Sequence, residues 1–303
     1  MAIFEKNVVH VEYQEHEDQV AHVEYEDHGD RLLEAAFLGD LNEVEENFDQ
    51  GVILSMFTDP GSIEIRNEEG DTPLIVASRN GHEQLVSFLL AINEIKVDDT
   101  NDIGSNSLIE ASENNHYSIV KLLLTDGRID PNQVDQDKFC CLLTAVGHGH
   151  TNIVKELMLD HRTCPNMSDS NDDTSLHYAC SHGYLDIVKI LYYSRQENIN
   201  LNALNKENCT PLLEALQNGH TQVVKFLLSL PGIKINQCVL HYACVFGYFD
   251  IVKMLFNMGK IEVKPVKKAR RGRSLIIDTL FSGQLEVFSF LLKFSGVDKI
   301  KNS

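Results

Sequence analysis

The tetrapeptide HYAC occurs twice, at His177–Cys180 and His241–Cys244, and in the first copy His182 follows two residues later. A thiol with imidazoles close by has the makings of nucleophilic chemistry, because a histidine can take the proton that turns a weak thiol into a thiolate. Read in isolation, His177 and His241 look like catalytic bases and Cys180 and Cys244 like nucleophiles. A second candidate is a set of four histidines, His10, His16, His22 and His28, at a strict six-residue step. Their spacing is not that of a compact zinc site.

Little else supports catalysis. Asp and Glu are abundant, but no pair of carboxylates stands out as an acid and a base. The sequence has no phosphate-cradling glycine loop, no HExxH and no close cysteine pair of zinc spacing. Cys140 and Cys141 are adjacent, which is wrong for joint ligation of one tetrahedral ion. Seven scattered cysteines, an odd number without framework spacing, and no signal peptide fit a reducing compartment, cytoplasmic or nuclear, and not classical secretion. No apolar run reaches membrane-spanning length, so no membrane insertion is expected. The net charge of -19, from 45 acidic and 26 basic residues, repels nucleic acid and anionic lipid on average.

The elements that must position these residues are repeats. Thr174 to Leu191 reads as two short helices: Leu176, Ala179 and Cys180 line one, Ile187, Val188 and Leu191 the other, with Gly183 between them. Such a hairpin cannot bury its apolar face alone and needs a neighbour on each side. The neighbours are present. Leu74, Leu108, Leu142 and Leu176 are each 34 residues apart, and later steps are 36, 28 and 36. An IVK theme marks the second helices at Ile119–Lys121, Ile153–Lys155, Ile187–Lys189 and Ile251–Lys253. This period predicts an all-α solenoid of about eight helix-turn-helix units, each with an extended finger. Units start near 31, 67, 101, 135, 169, 205, 233 and 269 and fill 31–303. Residues 1–30 stand apart as an acidic, histidine-containing arm with nine acids, one lysine and a duplicated HVEY. A flexible arm, a linear ligand or ribbon packed on the first repeat, and a metal-binding tract are its three readings.

The motifs within the period resemble those of the ankyrin-repeat family. The family's TPLH box has counterparts in Thr72–Ile75, Thr174–His177 and Thr210–Leu213, and its Gly-His in Gly81-His82, Gly149-His150 and Gly219-His220. Thr72, Thr174 and Thr210 stand where a hydroxyl can cap a helix, and Pro73 and Pro211 suit the first helical position. The resemblance implies fingers built like β-hairpins. It also makes His177 and His241 structural, bonding to neighbouring turns, and Cys180 and Cys244 core residues, so no catalytic, cofactor or metal site is expected. The fold itself says little about function.

What the resemblance implies is a protein-binding scaffold or adaptor, with contacts from finger tips and from the residue pairs before each inter-helix glycine. Those residues are Arg79, Asn80, Glu113, Asn114, His148, His182, Gln217, Asn218, Val245, Phe246 and Phe281. Phe246 and Phe281 are each either an interface anchor or packed against the altered fingers beside them. Two departures stand out. The junction at 231–238 is too short for a finger tip, and the next finger carries Lys264, Lys267, Lys268, Arg270, Arg271 and Arg273 with almost no acid. That basic finger reads as a solvated loop, as a receptor for an acidic peptide (the chain's own arm included), or as a nuclear-import or phosphate contact. Partners are accordingly a protein or acidic peptide, with nucleic acid ranked lower. A regulatory or host-directed effector that occupies a partner, or a nuclear-targeted binder, is the alternative function. The apolar last helix leaves self-association open, with a monomer favoured.

Overall fold

The computed structural model describes residues 30–40, 65–194, 199–259 and 275–294. The acidic arm through residue 29 and the basic finger, Lys264 to Arg273, lie outside the described residues. All regular structure in the described residues is helical. Helix α1 covers 30–38, and seven helix pairs follow. They are α2 (Pro73–Asn80) and α3 (Glu83–Leu90), α4 (Ser107–Glu113) and α5 (Tyr117–Asp126), α6 (Cys141–Gly147) and α7 (Thr151–Leu159), and α8 (Ser175–Ser181) and α9 (Leu185–Ser194). Then come α10 (Pro211–Gln217) and α11 (Thr221–Ser229), α12 (Gln237–Val245) and α13 (Phe249–Asn257), and α14 (Leu275–Phe281) and α15 (Leu285–Phe294). The first members pack side by side as an inner layer and the second members as an outer layer.

Short helices need strong punctuation. The Thr72 and Thr210 hydroxyls accept the backbone N–H groups of Ile75 and Leu213, while Asn106 and Asn236 do the same for Ile109 and Val239. Pro73 and Pro211 open their helices. Between the two helices of a unit the chain turns through a left-handed residue, a glycine in most units and Asn115 (φ 62°) in the α4–α5 unit. The apolar stripes then merge into one continuous core from Leu32 to Leu291. Each repeat is closed only by its neighbours.

The described fingers are not β-hairpins. Among the described residues there is no strand, only isolated bridges at Thr100–Asn106 and Ser168–Thr174. Each finger is a tight loop closed by an Asx side chain, over 67–71, 101–105, 135–139, 169–173 and 205–209. In the last, the Asn205 N–H donates to the Cys209 carbonyl (3.1 Å) and Asn205 Oδ1 accepts from Cys209 N–H (2.9 Å) and Glu207 N–H (3.1 Å). The fourth loop residue has positive φ: Gly70, Gly104, Lys138, Asp172 and Asn208. That left-handed residue reverses the chain before a two-stranded ladder can form, and the Asx oxygen takes the N–H groups a ladder would have used. One backbone bond links each loop to the next, from the N–H groups of Asp102, Gln136, Ser170 and Lys206 to the carbonyls of Glu69, Ile103, Asp137 and Asn171. From α11 to α12 the chain has no such loop; it runs through 230–236 directly into the Asn236 cap.

Candidate functional site

The residue before each inter-helix turn stands at the C-terminal end of an inner helix, where carbonyls have lost their intrahelical donors. Asn80, Asn114 and Asn218 each donate from Nδ2 to the carbonyl four residues back, at Val76, Glu110 and Glu214 (2.9 Å each). His148 and His182 do the same from Nδ1, to Thr144 and Tyr178 (3.0 Å each). That bond to a carbonyl requires a proton on Nδ1. All five side chains are exposed. They form a row along the inner layer, locked in orientation by the helices they cap. The sequence signal was present, a polar nitrogen donor just before the turn, but the capping role is visible only in the bonds.

Phe246 holds the same place in α12 and cannot make that bond. Its ring lies against Tyr242 (centroids 5.9 Å apart, 10° between planes) and Tyr248 (6.0 Å), leaving it 44% exposed. Two repeats earlier, His182 is sandwiched in the same manner between Tyr178 (6.3 Å) and Tyr184 (5.4 Å). Glu113 is exposed, Gln217 and Val245 half-buried, and Phe281, 75% exposed, closes α14.

Arg79 has a different role. Its guanidinium lies between the fully buried Asp71 (Nη1–Oδ2 2.5 Å, Nη2–Oδ1 2.9 Å) and Glu110 of the next repeat (Nε–Oε2 2.8 Å), with Glu69 at 3.5 Å. These carboxylates, Glu110 first, hold the guanidinium firmly in its charged form. Burial pushes the Asp71 carboxyl up, but hydrogen bonds from Arg79, Asn101 and Asn67 together outweigh it and keep the carboxyl below its ordinary range. The cluster ties the end of α2 to the loop before it and to the inner helix of the next repeat.

The reactive-looking residues are structural. His177 Nδ1 faces the Thr174 backbone N–H (3.1 Å) and hydroxyl (2.9 Å), and its Nε2–H donates to the Cys209 carbonyl of the next loop (3.2 Å). Burial holds this imidazole below its ordinary pKa, in the neutral form. Cys180 and Cys244 are buried, and burial pushes their thiols up, that of Cys244 to about 12, opposite to what a nucleophile needs. His241 differs from His177 at Nδ1, and the turn its Nε2 would clamp lies outside the described residues. Its Nδ1 is without a hydrogen bond and 3.9 Å from the Asp278 carboxylate. The cause is a shifted cap. Helix α12 starts from Asn236, so Cys238 stands where Thr174 serves His177.

His82, His116, His150 and His220 form a second ladder missed as such in the sequence. Each begins an outer helix, and its Nε2–H donates to the carbonyl of Phe37, Arg79, Glu113 or Ser181 in the preceding repeat (2.9–3.0 Å). Among the described residues no group of three His, Cys, Asp or Glu is placed to hold a metal. No described helix is long and apolar enough to cross a membrane.

A two-layer stack of capped helix pairs, tied by Asx loops and histidine ladders, defines a helical repeat solenoid. The chain belongs to the ankyrin-repeat family: the family described as ankyrin repeats in three copies matches residues 32–135, 108–203, 142–238 and 192–265. No match was found among curated proteins. The fold of this family generally serves as a protein–protein interaction module.

Proposed function

We propose that the chain is a non-enzymatic scaffold or adaptor that holds a protein partner in the groove between its inner helices and its loops. The observation that carries this reading is the row Asn80, Asn114, His148, His182, Asn218 and Phe246. These side chains are exposed, differ in chemistry from unit to unit, and are pre-oriented by the i−4 bonds or by stacking. Pre-orientation lowers the entropy cost of binding, and variation along the row supplies a sequence-reading surface. Phe246, resting on two tyrosines, is the apolar anchor of this row. The free thiols of all seven cysteines are in keeping with action in a reducing compartment.

The test is affinity capture of partners on the full chain, compared with a His148→Ala/His182→Ala/Phe246→Ala variant and with an outer-layer control, Lys155→Ala. A partner retained by the wild type and the control but lost by the groove variant, with an unchanged unfolding midpoint, is the expected result. Equal retention by all three proteins removes the groove as the binding surface. Loss of cooperative unfolding in Phe246→Ala alone makes that ring part of the core instead.

A further inference from the structure

The cluster around Arg79 has a second copy three repeats further along, and in that copy the cation is absent. Asp173 stands at the loop position of Asp71, Asn205 at that of Asn101, and Glu214 at the inner-helix position of Glu110. The polar bridge is reproduced: Asn205 Nδ2 donates to Asp173 Oδ1 (2.8 Å) and Glu214 Oε1 (3.3 Å), as Asn101 Nδ2 donates to Asp71 Oδ1 (2.8 Å). The residue in the place of Arg79, however, is Ser181. Among the described residues no cation pairs with Asp173 or Glu214. In no other described unit does an Asp at the loop position precede a Glu at the inner-helix position.

We propose that Asp173, Asn205 and Glu214 form an arginine-binding site on the groove, filled by a guanidinium of the bound partner as Arg79 fills the earlier copy. The proposal rests on the groove reading above and names the chemistry the partner brings to it. The occupied copy is the internal evidence for the ligand. It shows that this arrangement of two carboxylates and an amide accepts a guanidinium with three charge-assisted hydrogen bonds. The planar fork explains why arginine fits better than lysine. Arg79 reaches its carboxylates from the end of α2, next to Asn80 in the row. The matching approach to Asp173 and Glu214 starts at Ser181, next to His182. Burial and the Asp173 charge together raise the Glu214 carboxyl above its ordinary range, the mark of an acid pair short of a countercharge.

The experiment selects binders to the full chain from a random linear peptide library displayed on phage, then measures the best peptides on wild type, Ser181→Arg, Glu214→Gln and the triple groove variant above. The expected peptides require an arginine: changing it to glutamine, and less severely to lysine, weakens binding roughly tenfold or more. Ser181→Arg, which supplies the missing cation in cis, and Glu214→Gln, which removes half of the acid pair, weaken the same peptides to a similar degree. Their unfolding midpoints stay at or above that of wild type. Peptides that are lost in the triple groove variant yet need no arginine, and bind Ser181→Arg and Glu214→Gln as well as wild type, overturn the arginine site and leave the groove reading standing. Peptides indifferent to every one of these substitutions overturn both.

Discussion

The two acid clusters make opposite demands on the folded state. Asp71 is held below its ordinary value near 3.8, so its contribution to stability is complete above that pH and is lost as pH falls through the depressed folded value. Glu214 is held above its ordinary value of 4.5, so the folded protein loses stability as pH rises from 4.5 through the raised folded value. Glu214→Gln is therefore expected to raise the thermal unfolding midpoint at neutral pH and to change it little in acid, where the carboxyl is protonated in both states. Arg79→Ala is expected to cost roughly 2–3 kcal/mol, because the buried Asp71 keeps its charge and loses its main partner. Thermal melts of Glu214→Gln at neutral and acidic pH and denaturant titrations of Arg79→Ala measure the two effects. From the sequence Arg79 reads as a groove residue. Its partners are eight residues before and 31 after it, a distance over which no sequence spacing announces an ion pair.

Among the elements, the loops and the outer-helix ends carry the least obvious chemistry. Lys138 has φ 66° where two of the other loops have glycine, Gly70 and Gly104. A lysine Cβ in the left-handed region costs about 1–2 kcal/mol, against about 0.4–1 kcal/mol of unfolded-state entropy that glycine adds. Lys138→Gly is thus expected to stabilise by about 0.5 kcal/mol. Gly104→Ala should destabilise, since its Cβ would meet Asp135 Cα at 3.1 Å as well as the strained φ. Chemical denaturation of both single variants decides this. On the outer layer Arg162 donates to Asp160 and to the carbonyls of Leu124 (3.1 Å), Gly127 (3.0 Å) and Ile129 (3.0 Å), so it caps the preceding helix α5 from the next repeat. Arg128 repeats the device on Leu90 and Ile92 with Asp126 as its anchor. Arg162→Lys is expected to cost about 1–2 kcal/mol in the same measurement, because an ammonium cannot span carboxylate and carbonyls together.

Across the whole molecule, stability is a sum of repeats and the interfaces between them. The loop-to-loop backbone bonds run from Glu69 to Lys206 and have no continuation at 230–236. There the link consists of side-chain bonds through Asn202, which donates to the Gly232 carbonyl and accepts from Lys234 N–H. The inner helix α14 has only Thr279 fully buried, where α8 buries Ser175, Leu176, His177, Ala179 and Cys180. Hydrogen exchange is accordingly expected to show α12–α15 opening at lower free energy than α4–α11, as a unit that separates at the α11–α12 junction. Uniform protection from α4 to α15 would contradict this.

The helical repeat, the helix pairs, the caps at Thr72 and Thr210, and the clamp made by His177 were all legible in the sequence. Each depends on residues within one helical turn or on a period that repeats down the chain. The loop shape was not. An Asn or Asp at 67, 101, 135, 169 and 205 followed three residues later by a left-handed position was there to be seen, but the resemblance pointed to hairpins. What only the tertiary structure decided is which polar side chains are paired inside the molecule and which stay exposed. His177 and His182 are five residues apart; one is buried between two turns and the other is exposed at the end of its helix. Arg79 and Ser181 occupy one position in two repeats; one closes an acid pair and the other leaves it open. Those outcomes depend on groups that stacking brings in from neighbouring repeats, beyond the reach of any local pattern.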